Sequence, residues 1–430
     1  MPRDRPSALT ASAIVRMTSS GALTAEAEVR DCLARIAERE TTVRAWAALD
    51  PELALREAQA LDRAAAKGPL QGVPVGVKDI IDTADLPTEM GSSIYRGHRP
   101  AADAACVALL RAAGAVILGK TVTAEFAGMT PGPTTNPHDP AHTPGGSSSG
   151  SGAAVADGMV PVALGTQTGG SVLRPASYCG IVGFKPSFGL LNRAGVKPAA
   201  ESLDTMGVLA RSVDDIALIA GALAGWPASP TSESAAPPRI GLCRTYLWPT
   251  ALPETVAAVE QAAQRLAAVG ASLREVALPP SFAGLTEARE VINCWERARA
   301  MAFEWRHHRD RISARLGAAI ERGFAMDFAT YLAALRLAEN YRAQLEPVFA
   351  GFDVLLAPCV AGEAPAGLDS TGDHRFQGLW TLLHVPTMSL PTHRGPKGLP
   401  VGIQLVAPRY ADQRLIAASH WIWQKLEGEG

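Results

Sequence analysis

The stretch GTQTGGSVLRP, residues 165–175, sets two glycines directly before Ser171. A Gly-Gly pair lets backbone amides approach a ligand, and a serine after it stands where those amides converge. Ser171 is therefore a candidate nucleophile, and the amides of Thr168, Gly169, Gly170 and Ser171 are candidate donors to an oxyanion. Such chemistry also needs a base, and Lys78, closing the apolar run VPVGVK, fits if burial drives its pKa towards neutrality. The run PGGSSSGSGAAVADG, residues 144–158, can bring a second serine between them as a proton bridge, with Ser147 the natural choice. Each piece alone reads as a turn or a surface ion pair. Together they form a consistent set for serine attack on an amide.

Two other motifs compete. GAVILGKT, residues 114–121, satisfies G-x-x-x-x-G-K-[ST], with Lys120 and Thr121 in the phosphate-binding places. A phosphate cradle needs those intervening residues in a loop, whereas Ala115–Leu118 read as a buried strand. Gly146–Gly150 spells G-x-S-x-G and would make Ser148 the nucleophile of an α/β-hydrolase-type esterase. That reading wants a strand before the turn and a histidine partner. The preceding TTNPHDPAHTPG is a poor strand, and the late histidines His384, His393 and His420 are available, but a lone late histidine is more often structural.

The surrounding elements point to α/β architecture. Residues 8–66 read as helical, with Val29, Leu33 and Ile36 at helical spacing. From Gly72 to Pro186, short apolar runs alternate with Gly/Ser/Pro loops and Ala-rich helices. Residues 225–238 read as a surface linker, and residues 284–350 as largely helical and Arg-rich. Strand-like DVLLAP and LPVGIQLVAP return near the end. One domain spanning 1–430 is expected, with an N-terminal helical segment over 1–66, a catalytic core over 67–224 and a helical insertion over 284–350 near the substrate pocket.

Composition narrows the class. The chain has 430 residues, 47% hydrophobic and 19% charged, with a formal charge of −2, which gives no basic field for nucleic acid or anionic lipid. The six cysteines show no metal-ligand spacing and read as reduced thiols. MPRDRPSALTASAIVRM lacks the apolar centre of a signal peptide, and no run approaches the roughly 18 apolar residues of a membrane span. A cytoplasmic protein is the default, with no membrane and no nucleic-acid partner.

On these motifs the chain resembles the amidase signature family. The resemblance rests on the GGSSSGS run, on the Gly-Gly-Ser block in which Ser171 follows Ser147 by 24 positions, and on Gly72, Pro74, Lys78 and Asp79 in a G-x-P-x-x-x-K-D context. It continues through YCGIVGFKPSFG, ESLDTMGVLARSVDDIA, DVLLAP and GLPVGIQLVAP. It implies a single α/β/α domain with a large mixed central sheet covered by helices, and a metal-free, cofactor-free amidase. Ser171 would be the nucleophile, Ser147 the bridging serine after a cis Gly146–Ser147 peptide, and Lys78 the base. Ser148 and Thr166 would support them.

The family commonly has Ser-Asp-Thr-Gly-Gly-Ser where this chain has Thr166, Gln167 and Thr168, a departure expected to matter for substrate. The TQTGGSV-x-RPAS version is similar to the malonamidase subgroup, which implies that Arg174 binds a substrate carboxylate. The competing role for Arg174 is an internal pair with Asp204 or Asp215. The aromatic residues Trp295, Trp305, Tyr331 and Tyr341 are expected to pack helices, and neither Trp380 nor His384 receives a catalytic role. The implied activity is hydrolysis of a small carboxylic amide, by a homodimer meeting only that small molecule. The alternative is the glutaminase, or A-type, subunit of a tRNA-dependent amidotransferase.

Overall fold

The computed structural model describes residues 9–226 and 236–427. The centre of the stretch read as a linker, 227–235, lies outside the described residues.

Among the described residues, eleven strands form one sheet. They are β1 (Trp46–Leu49), β2 (Pro74–Lys78), β3 (Val116–Thr121), β4 (Val162–Gln167), β5 (Val182–Lys185) and β6 (Thr205–Ala210), then β7 (Arg239–Leu242), β8 (Ser272–Glu275), β9 (Val354–Pro358), β10 (Thr387–Arg394) and β11 (Pro400–Val406). Their order is β1-β3-β2-β4-β6-β5-β10-β11-β9-β7-β8. β2 runs parallel to β3 and β4, and β7 parallel to β8 and β9, while β4, β6, β5, β10 and β11 alternate in direction. The sheet is mixed and continuous from the first strand to the last, so distant segments share one α/β domain.

Both faces are covered, and the strand sequences show it. In β3, Ile117 packs into one apolar cluster while Val116 and Leu118 pack into the other; in β4, Val162 and Leu164 face the first and Ala163 the second. Alternation of side chains along a strand turns a continuous apolar run into two buried faces. The helices that cover them start on local signals. Asp50 accepts the Leu53 amide ahead of Pro51, and Ser212 accepts the Asp215 amide with Asp214 and Asp215 in the first turn.

The Arg-rich region forms helices Leu285–Ala300, Ala314–Ala325 and Phe328–Leu345, with Ala302–His307 between the first two. The first and third of these pack through Ile292, Ala338 and Tyr341 against Leu355 and Trp380, while Ala314–Ala325 packs through Leu316 and Ile320 against Met90 and Phe126. One local departure is β1, a strand within the stretch read as helical. Its sequence WAAL carries no alternation, and its conformation comes from antiparallel pairing with β3.

Candidate active site

Lys78 ends β2 inside the sheet and has no exposed surface. Its Nζ lies 2.8 Å from Ser147 Oγ, 2.8 Å from Thr166 Oγ1 and 3.4 Å from the Thr166 carbonyl. Burial holds its pKa well below the ordinary lysine value; Asp204 opposes that shift, and the charges of Arg297 and Arg174 reinforce it. A neutral amine has two hydrogens and one lone pair. The two hydrogens suit the oxygens of Thr166, which leaves the lone pair for the hydroxyl proton of Ser147.

Ser147 follows a cis peptide from Gly146 and is fully buried. Ser171 stands in the turn between β4 and the helix Leu173–Cys179, and its carbonyl accepts the Ser148 amide at 3.3 Å. That bond sets the two serine turns side by side. Among the described hydrogen bonds, none joins the hydroxyls of Ser147 and Ser171; such contacts often tighten only around bound substrate.

The loop Thr168–Ser171 is held from several directions. Thr168 Oγ1 donates to Asp204 at 2.5 Å, and Thr381 Oγ1 donates to the Gly169 carbonyl at 2.7 Å. A Cβ on Gly169 would lie 2.8 Å from His374 Cδ2, and one on Gly170 would lie 2.5 Å from Gln377 Oε1. Glycine is required there because the segment 374–377 packs directly on the loop. Among the described residues, no acceptor takes the amides of Gly169, Gly170 or Ser171. They are available to a developing oxyanion.

Ser148 is also buried, but its hydroxyl exchanges hydrogen bonds with the carbonyl and amide of Thr166, both at 3.3 Å. No histidine accompanies it. His384 stacks on Phe188 and contacts the Ser202 carbonyl and Arg342, with its pKa pushed down to about 3 by burial and the Arg342 charge. The phosphate-loop motif is strand β3, where Lys120 pairs with buried Asp79 at 3.1 Å.

Gln167 corrects the expectation that its replacement of a carboxylate bears on substrate. Fully buried, its Oε1 accepts the amides of Val172 and Leu173 at 2.9 and 3.1 Å, and its Nε2 donates to Thr381. It fixes the turn carrying Ser171. Arg174 pairs with neither Asp204 nor Asp215. It donates to the carbonyls of Gly146 (2.5 Å) and Gly372 (2.8 Å) and to Thr371 Oγ1 (3.0 Å).

Ser171 opens into a cleft of about 280 Å³, a size suited to a small acyl group. Its walls include Arg174, Arg289, Arg297, Arg315 and Arg322, against one acid, Glu290. Sequence reading missed Arg289, Arg297 and Glu290 because charged residues on a helix resemble a solvated face. The signal was present in the spacing of Arg289, Asn293 and Arg297, four apart, which places them on one side of a helix. His374 was missed as well. The aromatics of this region pack elsewhere: Trp295 stacks on Tyr331 at 4.9 Å and Tyr341 meets Phe282 edge-on.

A buried lysine-serine pair beside a Gly-Gly-Ser loop, on a large mixed α/β sheet, defines a serine amidohydrolase of the amidase signature class. The chain belongs to the amidase family, whose profile matches residues 27–416. It is similar to the A-type subunit of glutamyl-tRNA(Gln) amidotransferase from Rhodopirellula baltica, 34% identical over 95% of each chain. The Zea mays chloroplastic/mitochondrial counterpart is 32% identical over 95% of this chain and 87% of its own. Among solved structures, a chain from work on a vestigial protein complex and the origins of an s-triazine catabolic enzyme superposes with TM-score 0.87. It is 33% identical, covering 98% of this chain and 99% of that one. Peptide amidase from Stenotrophomonas maltophilia gives TM-score 0.83 at 30% identity, covering 97% of both.

These relatives bear on the expected partners. The amidotransferase relatives are, by name, one component of a multi-chain enzyme defined by a tRNA. That overturns the expectation of a homodimer that meets only a small amide and no nucleic acid. No helix among the described residues is long and apolar enough to cross a membrane.

Proposed function

We propose that this chain is the amide-hydrolysing component of an amidotransferase-type assembly, releasing ammonia from a small carboxylate-bearing amide, glutamine foremost. The observation that carries the substrate class is the arginine-lined cleft on which Ser171 opens. Full-length similarity to the A-type amidotransferase proteins supports the setting. All six cysteines are free and buried, in keeping with a cytoplasmic location.

In this reading neutral Lys78 takes the proton of Ser147, Ser147 takes that of Ser171, and Ser171 Oγ attacks the amide carbon. The amides of Thr168 to Ser171 hold the oxyanion, a role typically worth about 3–4 kcal/mol per donor. The proton returns through Ser147 to the leaving nitrogen, the C–N bond breaks and ammonia departs. Water then attacks the acyl-Ser171 ester by the same relay, giving the acid and free enzyme.

One observation favours a second reading of the substrate, a monoamide of a dicarboxylic acid. Glu290, the only acid of the cleft, is already bridged to Arg322 and Arg289 and so is poorly placed to receive an α-ammonium group. Ammonia release from glutamine, succinamate and butyramide, with wild type and Ser171→Ala, tests both. Turnover of the two acidic amides, lost in the variant, is the expected result. Preference for butyramide would refute the acidic-substrate reading, and succinamate turnover without glutamine turnover would select the dicarboxylic monoamide.

A further inference from the structure

We infer that Arg289, held by His374, is the residue that receives the substrate carboxylate, while Arg174 positions the serine turn. This rests on the carboxylate-bearing amide reading and assigns its recognition to one side chain.

The two arginines differ in what their donors do. Both Nη atoms of Arg174 are engaged, with the Gly146 and Gly372 carbonyls and Thr371 Oγ1, and among the described residues its buried Nε has no partner. Its shortest contact is with the carbonyl of Gly146, the residue bonded to Ser147. A guanidinium with both Nη atoms fixed on two separate loops is a clamp for those loops, and only the single Nε–H is left for a ligand, too few donors for a bidentate carboxylate.

Arg289 uses only Nη2, towards His374 Nε2 at 2.8 Å and Glu290 at 3.2 Å. Among the described residues, its Nη1 has no acceptor, although its side chain is only 8% exposed. Such a deeply placed cation with one shared acid nearby is incompletely compensated, and an incoming carboxylate supplies the missing charge. The other cleft arginines are committed differently. Arg297 holds the Phe126 carbonyl, Arg322 pairs with Glu290, and Arg315 reaches the Asp369 carbonyl at the exposed rim.

The position of Arg289 is tightly framed. Its stem crosses Gly378 so closely that a Cβ there would lie 3.1 Å from Nε, and a side chain at that point of the helix Arg375–Leu382 would crowd Arg289 by a few tenths of an ångström. His374 contacts both Arg289 and the Gly169–Gly170 segment. Burial and neighbouring arginines hold His374 neutral. Its Nε2 therefore accepts from Arg289 and its proton resides on Nδ1. One side chain thus spans from the carboxylate receptor to the oxyanion loop, placing the carboxylate a short aliphatic spacer from the scissile carbonyl.

The test is steady-state kinetics on succinamate and butyramide for wild type, Arg289→Gln, Arg174→Gln and His374→Gln. Arg289→Gln is expected to raise KM for succinamate at least about 30-fold more than for butyramide. Arg174→Gln is expected to lower kcat on both amides by a similar factor. His374→Gln, which keeps an acceptor, should keep most of the succinamate preference. Equal effects of Arg289→Gln on the two amides, or a succinamate-selective KM effect in Arg174→Gln, would overturn the assignment.

Because a variant can misfold, calorimetric binding of succinate to Ser171→Ala and to Ser171→Ala/Arg289→Gln gives a second readout. At least about tenfold weaker binding in the double variant is expected, and unchanged affinity contradicts the inference. Absence of any succinamate preference in wild type would instead be a failure of the underlying substrate reading.

Discussion

The strand-end region around Lys78 and Ser147, which reaches the cleft through Ser171, and the helical wall around Arg289 and Arg297 are built in opposite ways. The first is packed between two apolar layers, and its functional atoms are positioned by backbone: strand register, a cis peptide and a glycine loop. The second is a helix face whose charged side chains reach in from outside the sheet. Reaction chemistry tolerates little displacement and so sits on the rigid element, while substrate choice can vary with side chains on a wall. Substitutions in the first region should therefore impair every amide, and those in the second should alter which amide is preferred.

The largest effect is expected from Lys78→Met. Removal of the base should lower kcat by about 10³-fold or more on acidic and neutral amides alike. In wild type, kcat/KM should fall as pH drops through the depressed pKa of Lys78, since the protonated amine cannot accept from Ser147. The same shift bears on stability. Between the lowered folded pKa and the unfolded value near 10.4, the unfolded chain carries a proton on this lysine that the folded chain lacks. Stability from this group therefore rises with pH across that window, by about 1.4 kcal/mol per pH unit. Comparing denaturant midpoints of wild type and Lys78→Met across pH isolates the term, and identical slopes would show Lys78 to be charged in the fold.

A smaller loss is expected from Gln167→Leu, which strands the amides of Val172 and Leu173 and loosens the Ser171 turn. A drop in kcat of about 10–100-fold, shared by all amides, is the expected outcome. Selective loss on one amide would place Gln167 in substrate recognition after all. Smaller again is Arg322→Ala on the helical wall. Freeing Glu290 from Arg322 should raise KM for succinamate about 3–10-fold with butyramide little affected, because the freed carboxylate competes for Arg289. A uniform change in kcat would blur the distinction between the two regions.

The same contrast explains what was legible in the sequence. The triad candidates sit in contiguous Gly/Ser motifs whose spacing carries chemistry, and the structure brings Lys78, Ser147 and Thr166 within hydrogen-bond reach. The sheet was legible because VPVGV, AVILG and VPVALG are apolar on both faces. β1 was not, since WAAL borrows its conformation from β3, and β8 is a largely exposed edge strand with no buried alternation. His374 lies in an irregular loop, and its contacts with Arg289 and Gly169 join residues far apart in the chain. For Arg174 the family resemblance implies a carboxylate ligand and an internal acid pair competes with it, and nothing local in the sequence shows that the carbonyls of Gly146 and Gly372 converge on it.

The most direct test of the central claim is mass spectrometry of protein acid-quenched during succinamate turnover, with peptide mapping of any adduct. A succinyl ester on Ser171, absent in Ser171→Ala and accumulating in step with ammonia release, is the expected result. An ester on Ser148 or Ser147, or undiminished ammonia release by Ser171→Ala, would contradict it.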